Sequence, residues 1–126
     1  MPPSSVRLEL SLPRAPQAAH EARNALELRF ASVVDDKRLA QAKLVATELV
    51  TNAVIHGEGQ ITLRAAVDGR HLRLEVIDEG EGQAPKIREL GEQGAGGWGL
   101  RLVDAVSARW GAHEGTTHVW ADIPVS

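Results

Sequence analysis

With 126 residues, 43 % hydrophobic, 25 % charged and a formal net charge of -3, the chain has the size and balance of one soluble domain. A chain of that size can bury a core without metal or disulfide staples, and its charge argues against nucleic acid or an anionic membrane as the main partner. There is no cysteine, which excludes disulfides, thiolate chemistry and Cys-based zinc sites and fits a cytoplasmic setting.

The first segment, MPPSSVRLELSLPR, lacks the apolar run of a signal peptide, and nothing downstream approaches the ~20 apolar residues of a membrane helix. VRLELSL (6–12) alternates Val6, Leu8, Leu10 and Leu12 with polar neighbours, the pattern of a half-buried strand. Pro13 and Pro16 end it. From Gln17 to about Phe30 the period becomes helical, with Ala18, Ala22, Ala25, Leu26 and Leu28 as apolar members. Asp35 and Asp36 offer an N-cap for a second helix over 37–56, which Gly57 and Gly59 stop. ITLRAAV (61–67), the turn DGR and HLRLEVID (71–78) predict a hairpin. Residues 79–97 are rich in Gly, Glu and Gln and read as a long loop. WGLRLVDAVSARW (98–110) has a helical pattern, and THVWADIPV (117–125) predicts a last strand. The order predicts an α+β fold, with helices on one face of a mostly antiparallel sheet. No repeat or domain boundary interrupts it.

Three segments carry chemistry. In ELVTNAVIHG (48–57), Glu48, Asn52 and His56 recur every four residues. On a helix they form a polar ribbon roughly 12 Å long on one face. A carboxylate there can orient or deprotonate a nucleophile, and an amide oxygen is a hard ligand suited to Mg²⁺. The bland reading is a solvated helix face. Such faces usually carry Lys, Arg, Glu and Gln, whereas this set is short and leads into a Gly-rich exit. EVIDEGEG (75–82) ends a strand at Asp78, followed by Gly80 and Gly82. An ordinary Asp-Gly turn gives the same letters. In the functional reading Asp78 accepts from a ring amine while the glycines let a flat ligand approach the backbone. GAGGWGLRLV (94–103) matches G-x-G-x-x-G formally, but it follows no strand and lacks the βαβ context of a dinucleotide site. A Gly-rich loop opening into a helix still suits phosphate; the plain alternative is a flexible linker. HEGTTH (113–118) spaces its histidines five apart, not the four of a metalloprotease helix, and reads as a hairpin turn. His20 and His71 read as surface residues.

In this order, E-x-x-x-N-A-x-x-H, V-I-D-E-G-E-G and G-G-W-G-L-R-L-V resemble the N, G1 and G2 boxes of the GHKL superfamily of ATP-binding domains. The resemblance implies the Bergerat fold, a two-layer α/β sandwich, for a single histidine-kinase-like ATPase domain over 1–126 with an ATP lid at about 83–97. ELVTNAVIHG followed by GGWGLRLVD looks most like the anti-sigma-factor serine kinases, since histidine kinases usually place Asn where Glu48 stands. Carried over residue by residue, the resemblance makes Glu48 the general base and Asn52 the Mg²⁺ ligand. It puts ATP contacts at Asn52, His56, Asp78, Gly80, Gly82, Gly96, Gly97, Gly99, Leu100 and Thr117. It implies ATP and Mg²⁺ as cofactors, and a sigma factor and a STAS-type anti-anti-sigma protein as partners. It also implies a cytoplasmic homodimer. Two further readings stand beside it, a non-catalytic ATP-gated switch and the ATP-binding half of a split sensor histidine kinase. Ile55 and Thr116 depart from the family pattern, where many relatives carry a basic residue. Both remove positive charge near the expected phosphates, for which Arg101 or Lys86 could compensate.

Overall fold

The computed structural model describes residues 6–80, 107, 109–112 and 118–125. They form β1 (Arg7–Leu12), α1 (Ala18–Phe30), α2 (Asp36–His56), β2 (Ile61–Asp68), β3 (His71–Ile77), β4 (Arg109–Ala112) and β5 (His118–Pro124). The strands make one sheet in the order β1-β2-β3-β5-β4, and every neighbouring pair is antiparallel. α2 packs on β2, β3 and β5, while α1 packs on α2 and β1. This is the expected two-layer sandwich with its helices on one face.

Strand alternation builds the core. Leu63 pairs with Val76, Ala65 with Leu74, and Leu74 with Ala121, so one apolar row crosses three strands. All five residues are buried, together with Leu26, Phe30, Val45 and Val50 from the helices. α1 contributes Ala18, Ala22, Leu26 and Phe30, a strict four-residue step that makes one buried stripe along the helix. That step corrects one expectation. Leu28 lies off the stripe and is 88 % exposed.

The Asp35 side chain caps α2 by accepting from the Arg38 backbone N–H at 2.8 Å, as the paired aspartates predict. At the other end, Gly57 follows α2 in extended backbone. Its φ is -90°, and the left-handed residue is Gly59 at +67°. The hairpin turn is Gly69-Arg70, closed by the Asp68–His71 pair, with positive φ at Gly69 alone. Arg109 and Trp110 belong to β4, not to the end of a helix. Trp110 pairs with Ala121 on the core side, and Gly111 leaves the other side open for the Trp120 ring. The rest of the segment read as a helix lies outside the described residues, apart from Ser107.

The face of the sheet away from the helices is charged. Asp122 is buried there, with a bidentate bond from Arg73 at 2.7 and 2.9 Å and a third from Arg109 at 2.9 Å. Arg73 also lies 4.5 Å over the Trp120 ring. The bond from Arg73, reinforced by Arg109, holds the Asp122 carboxyl below its ordinary range.

Candidate functional site

The end of α2 and the end of β3 meet at Asp78. Helix α2 ends at His56, and the residue after it must have no side chain. A Cβ on Gly57 would fall 2.5 Å from the Asp78 carboxylate carbon and 2.7 Å from the Ala53 carbonyl oxygen. The buried Asp78 carboxylate accepts from the Gly80 backbone N–H at 2.7 Å and from the Glu58 N–H at 3.4 Å. The chain beyond is laced to the same strand end. The Glu79 N–H donates to the Glu58 carbonyl at 2.8 Å, and the Gln60 N–H donates to the Glu79 carboxylate at 2.7 Å. Gly59 makes this possible, since a Cβ there would overlap the Glu79 side chain.

Glu48, Asn52 and His56 all lie on α2, two full turns apart from first to last. Glu48 and Asn52 are half-buried and His56 is exposed. Among the described residues, none forms a side-chain hydrogen bond with Glu48, Asn52 or His56. Burial alone raises the Glu48 carboxyl above its ordinary range. Asn52 stands five residues before Gly57, about 7.5 Å along the axis, so the ribbon leads toward Asp78. Ile55 is 65 % exposed. Of the other expected site residues, Gly80 adjoins Asp78. Gly82, Gly96, Gly97, Gly99, Leu100 and Thr117 lie outside the described residues, as do the expected lid at 83–97, Thr116, Lys86 and Arg101.

Sequence reasoning missed the support of this corner. The Arg14 guanidinium donates to the Ala53, Val54 and Gly59 carbonyls at 2.7 to 3.1 Å. The Gln60 amide donates to the Ser11 hydroxyl at 2.6 Å. No local pattern reveals either contact, since the partners lie 39 to 49 residues apart in the chain. The only sequence signal at Arg14 is its place between two prolines. Among the described residues, no group of three or more His, Cys, Asp or Glu could hold a metal, and no helix is long and apolar enough to cross a membrane.

An antiparallel sheet with one helical layer, and a helix end meeting a strand-end aspartate, are the marks of a GHKL-type fold. The chain belongs to the histidine kinase-like ATPase domain family, whose model matches residues 10–122. That family membership implies ATP binding. The anti-sigma F factors of Thermoanaerobacter pseudethanolicus and Clostridium acetobutylicum are each 41 % identical to it over 59 residues. Those matches cover 42 % of this chain and only 41 % of each relative's length. Among solved structures, the RsbU and RsbW domains of Rv1364c from Mycobacterium tuberculosis match 94 % of this chain and 31 % of theirs. The TM-score is 0.68 at 26 % identity. The histidine kinase domain of a blue-light activated kinase from Erythrobacter litoralis matches 86 % of this chain and 59 % of its own. Its TM-score is 0.59 at 23 % identity, a likeness of fold alone.

Proposed function

We propose that the chain is a Mg-ATP-dependent anti-sigma factor and protein serine kinase that phosphorylates a STAS-type anti-anti-sigma partner. One observation carries the reading: Glu48 is half-buried, has no hydrogen-bond partner among the described residues, and has its carboxyl raised by burial. A carboxylate with a raised pKa is a better base near neutral pH. In the proposed transfer a serine hydroxyl on the partner attacks the γ-phosphorus of ATP, Glu48 takes the hydroxyl proton, and ADP leaves. Phosphoryl transfer needs mainly positioning and charge neutralisation, which a base, a cation and a lid can supply.

Asp78 would receive the adenine amino group, with Gly80 and Gly82 at the pocket floor and Thr117 in support. The phosphates would meet His56, Gly96, Gly97, Gly99 and Leu100 under a lid at 83–97. The donor set fits Mg²⁺, a hard cation that takes one or two protein oxygens and completes its shell with phosphate and water. Asn52 would hold it, and when bound it would neutralise phosphate charge. The similar anti-sigma F factors support a sigma factor as the inhibited partner. We take residues 1–126 as one cytoplasmic domain acting as a homodimer.

The exposed Ile55 favours a second reading. Many relatives carry a basic residue there, and its loss suits a switch in which ATP gates partner binding without transfer. Mixing the protein with Mg-ATP and a candidate STAS-type partner separates the two. Acid-stable phosphoserine on the partner supports the kinase. Nucleotide-dependent binding with no phosphate transferred supports the switch. Acid-labile phosphate would instead point to a histidine acceptor.

A further inference from the structure

We propose that Arg14 is a positioning residue of the nucleotide site, holding the Asp78 wall through the end of α2; this rests on the nucleotide-binding reading above. The last carbonyls of a helix lack partners within it. Continuing α2 by one residue would bring the Glu58 N–H to the Val54 carbonyl. That N–H turns instead to Asp78, at 3.4 Å. Arg14 takes the vacated place, with Nη1 donating to the Val54 carbonyl at 2.9 Å and to that of Ala53 at 2.7 Å. The helix can therefore end early, and its next amide is released toward the ligand-facing carboxylate.

The same guanidinium reaches further. Its Nε and Nη2 both donate to the Gly59 carbonyl, at 3.1 and 3.0 Å. One rigid fork thus fixes the distance between the last turn of α2 and the Gly57–Gln60 turn. That turn is also what Asp78 and Glu79 bind. A lysine could cap a carbonyl but has no planar fork to span both segments. The cation also favours the negative end of the helix dipole. A plain capping role would need only the Ala53 and Val54 bonds; the paired bonds to Gly59 tie the cap to the pocket.

The test is calorimetric titration of ADP into wild type, Arg14→Ala, Arg14→Lys and Arg38→Ala. Arg38 is a matched control, because its guanidinium also ties α2 to a distant carbonyl, Pro124, at 3.2 Å, but from the opposite end of the helix. Arg14→Ala should weaken ADP about tenfold, as the loss of a supporting shell typically does, and Arg14→Lys should recover part of that. Arg38→Ala should bind ADP within about twofold of wild type, even with an equal drop in Tm. Wild-type affinity in Arg14→Ala, or equal weakening in Arg38→Ala, overturns the proposal. If wild type binds no adenine nucleotide, the nucleotide reading fails instead. Hydrogen exchange then decides the role of Arg14: the Gln60, Glu79 and Gly80 amides should exchange at least about tenfold faster in Arg14→Ala. Unchanged protection there refutes it.

Discussion

Gly57 and Asp78 are made for each other: the carboxylate of one occupies the space a side chain on the other would need. The contact joins the box that ends α2 to the box that ends β3, 21 residues on in the chain. Gly57→Ala should therefore displace Asp78 while leaving its charge intact. The expected cost is about 1–3 kcal/mol of stability, as for other overpacked sites. ADP affinity should fall along with it. Denaturant unfolding and ADP titration check both; an alanine variant with wild-type stability and affinity would contradict the close approach.

Glu48 should show a trade between stability and activity. Its carboxyl is raised from 4.5 by burial, so ionisation is harder in the folded chain than in the unfolded one. A raised acid binds more protons in the native state, so its contribution to stability falls as pH rises from 4.5 through the raised value. Glu48→Gln should then melt higher than wild type at pH 7, with the gap closing below pH 4.5. Transfer to a serine should be lost. Melting curves across pH read the first effect directly.

Asp122 should behave in the opposite sense. Its carboxyl is held below 3.8, chiefly by the Arg73 bond and then by Arg109. A lowered acid adds stability that is complete above 3.8 and is lost as pH falls through the lowered value. Asp122→Asn should destabilise the fold at pH 7 and flatten the acid limb of its stability curve. Arg73→Ala should cost about 1–2 kcal/mol, because Arg109 remains and Arg73 is partly exposed. Urea titrations at neutral and acid pH distinguish these outcomes.

The cap of α2 gives a control far from Asp78. Asp35→Ala removes the acceptor for the Arg38 N–H and should cost about 1 kcal/mol. ADP affinity should not change. A large loss of affinity would mean that any weakening of α2 reaches the site, and would blur the specific role given to its C-terminal end.

Local physics made most of the fold legible. Period-two alternation in VRLELSL and HLRLEVID, the Asp35 cap and the Gly69 turn each follow from a few neighbouring residues. Leu28 misled because hydrophobicity alone cannot tell a stripe member from a neighbour one step off the four-residue line. β4 was hidden because Arg109–Ala112 is four residues long, and its pairing with β5 supplies what its composition does not. At the site, the helix ribbon and the strand-end aspartate could be read as motifs. Arg14 could not, since its role exists only after β1 and α2 are brought together. Gly57 was legible as a stop, but what requires a glycine there, the carboxylate beside it, lies in another segment.

The proposed reaction is phosphate transfer to a serine with Glu48 as base. The most direct measurement incubates wild type and Glu48→Gln with labelled Mg-ATP and a STAS-type candidate encoded nearby, with ADP affinity measured in parallel. Acid-stable label is expected on the partner with wild type and none with Glu48→Gln, at similar ADP affinity for both. Equal labelling by the two proteins would contradict Glu48 as the base.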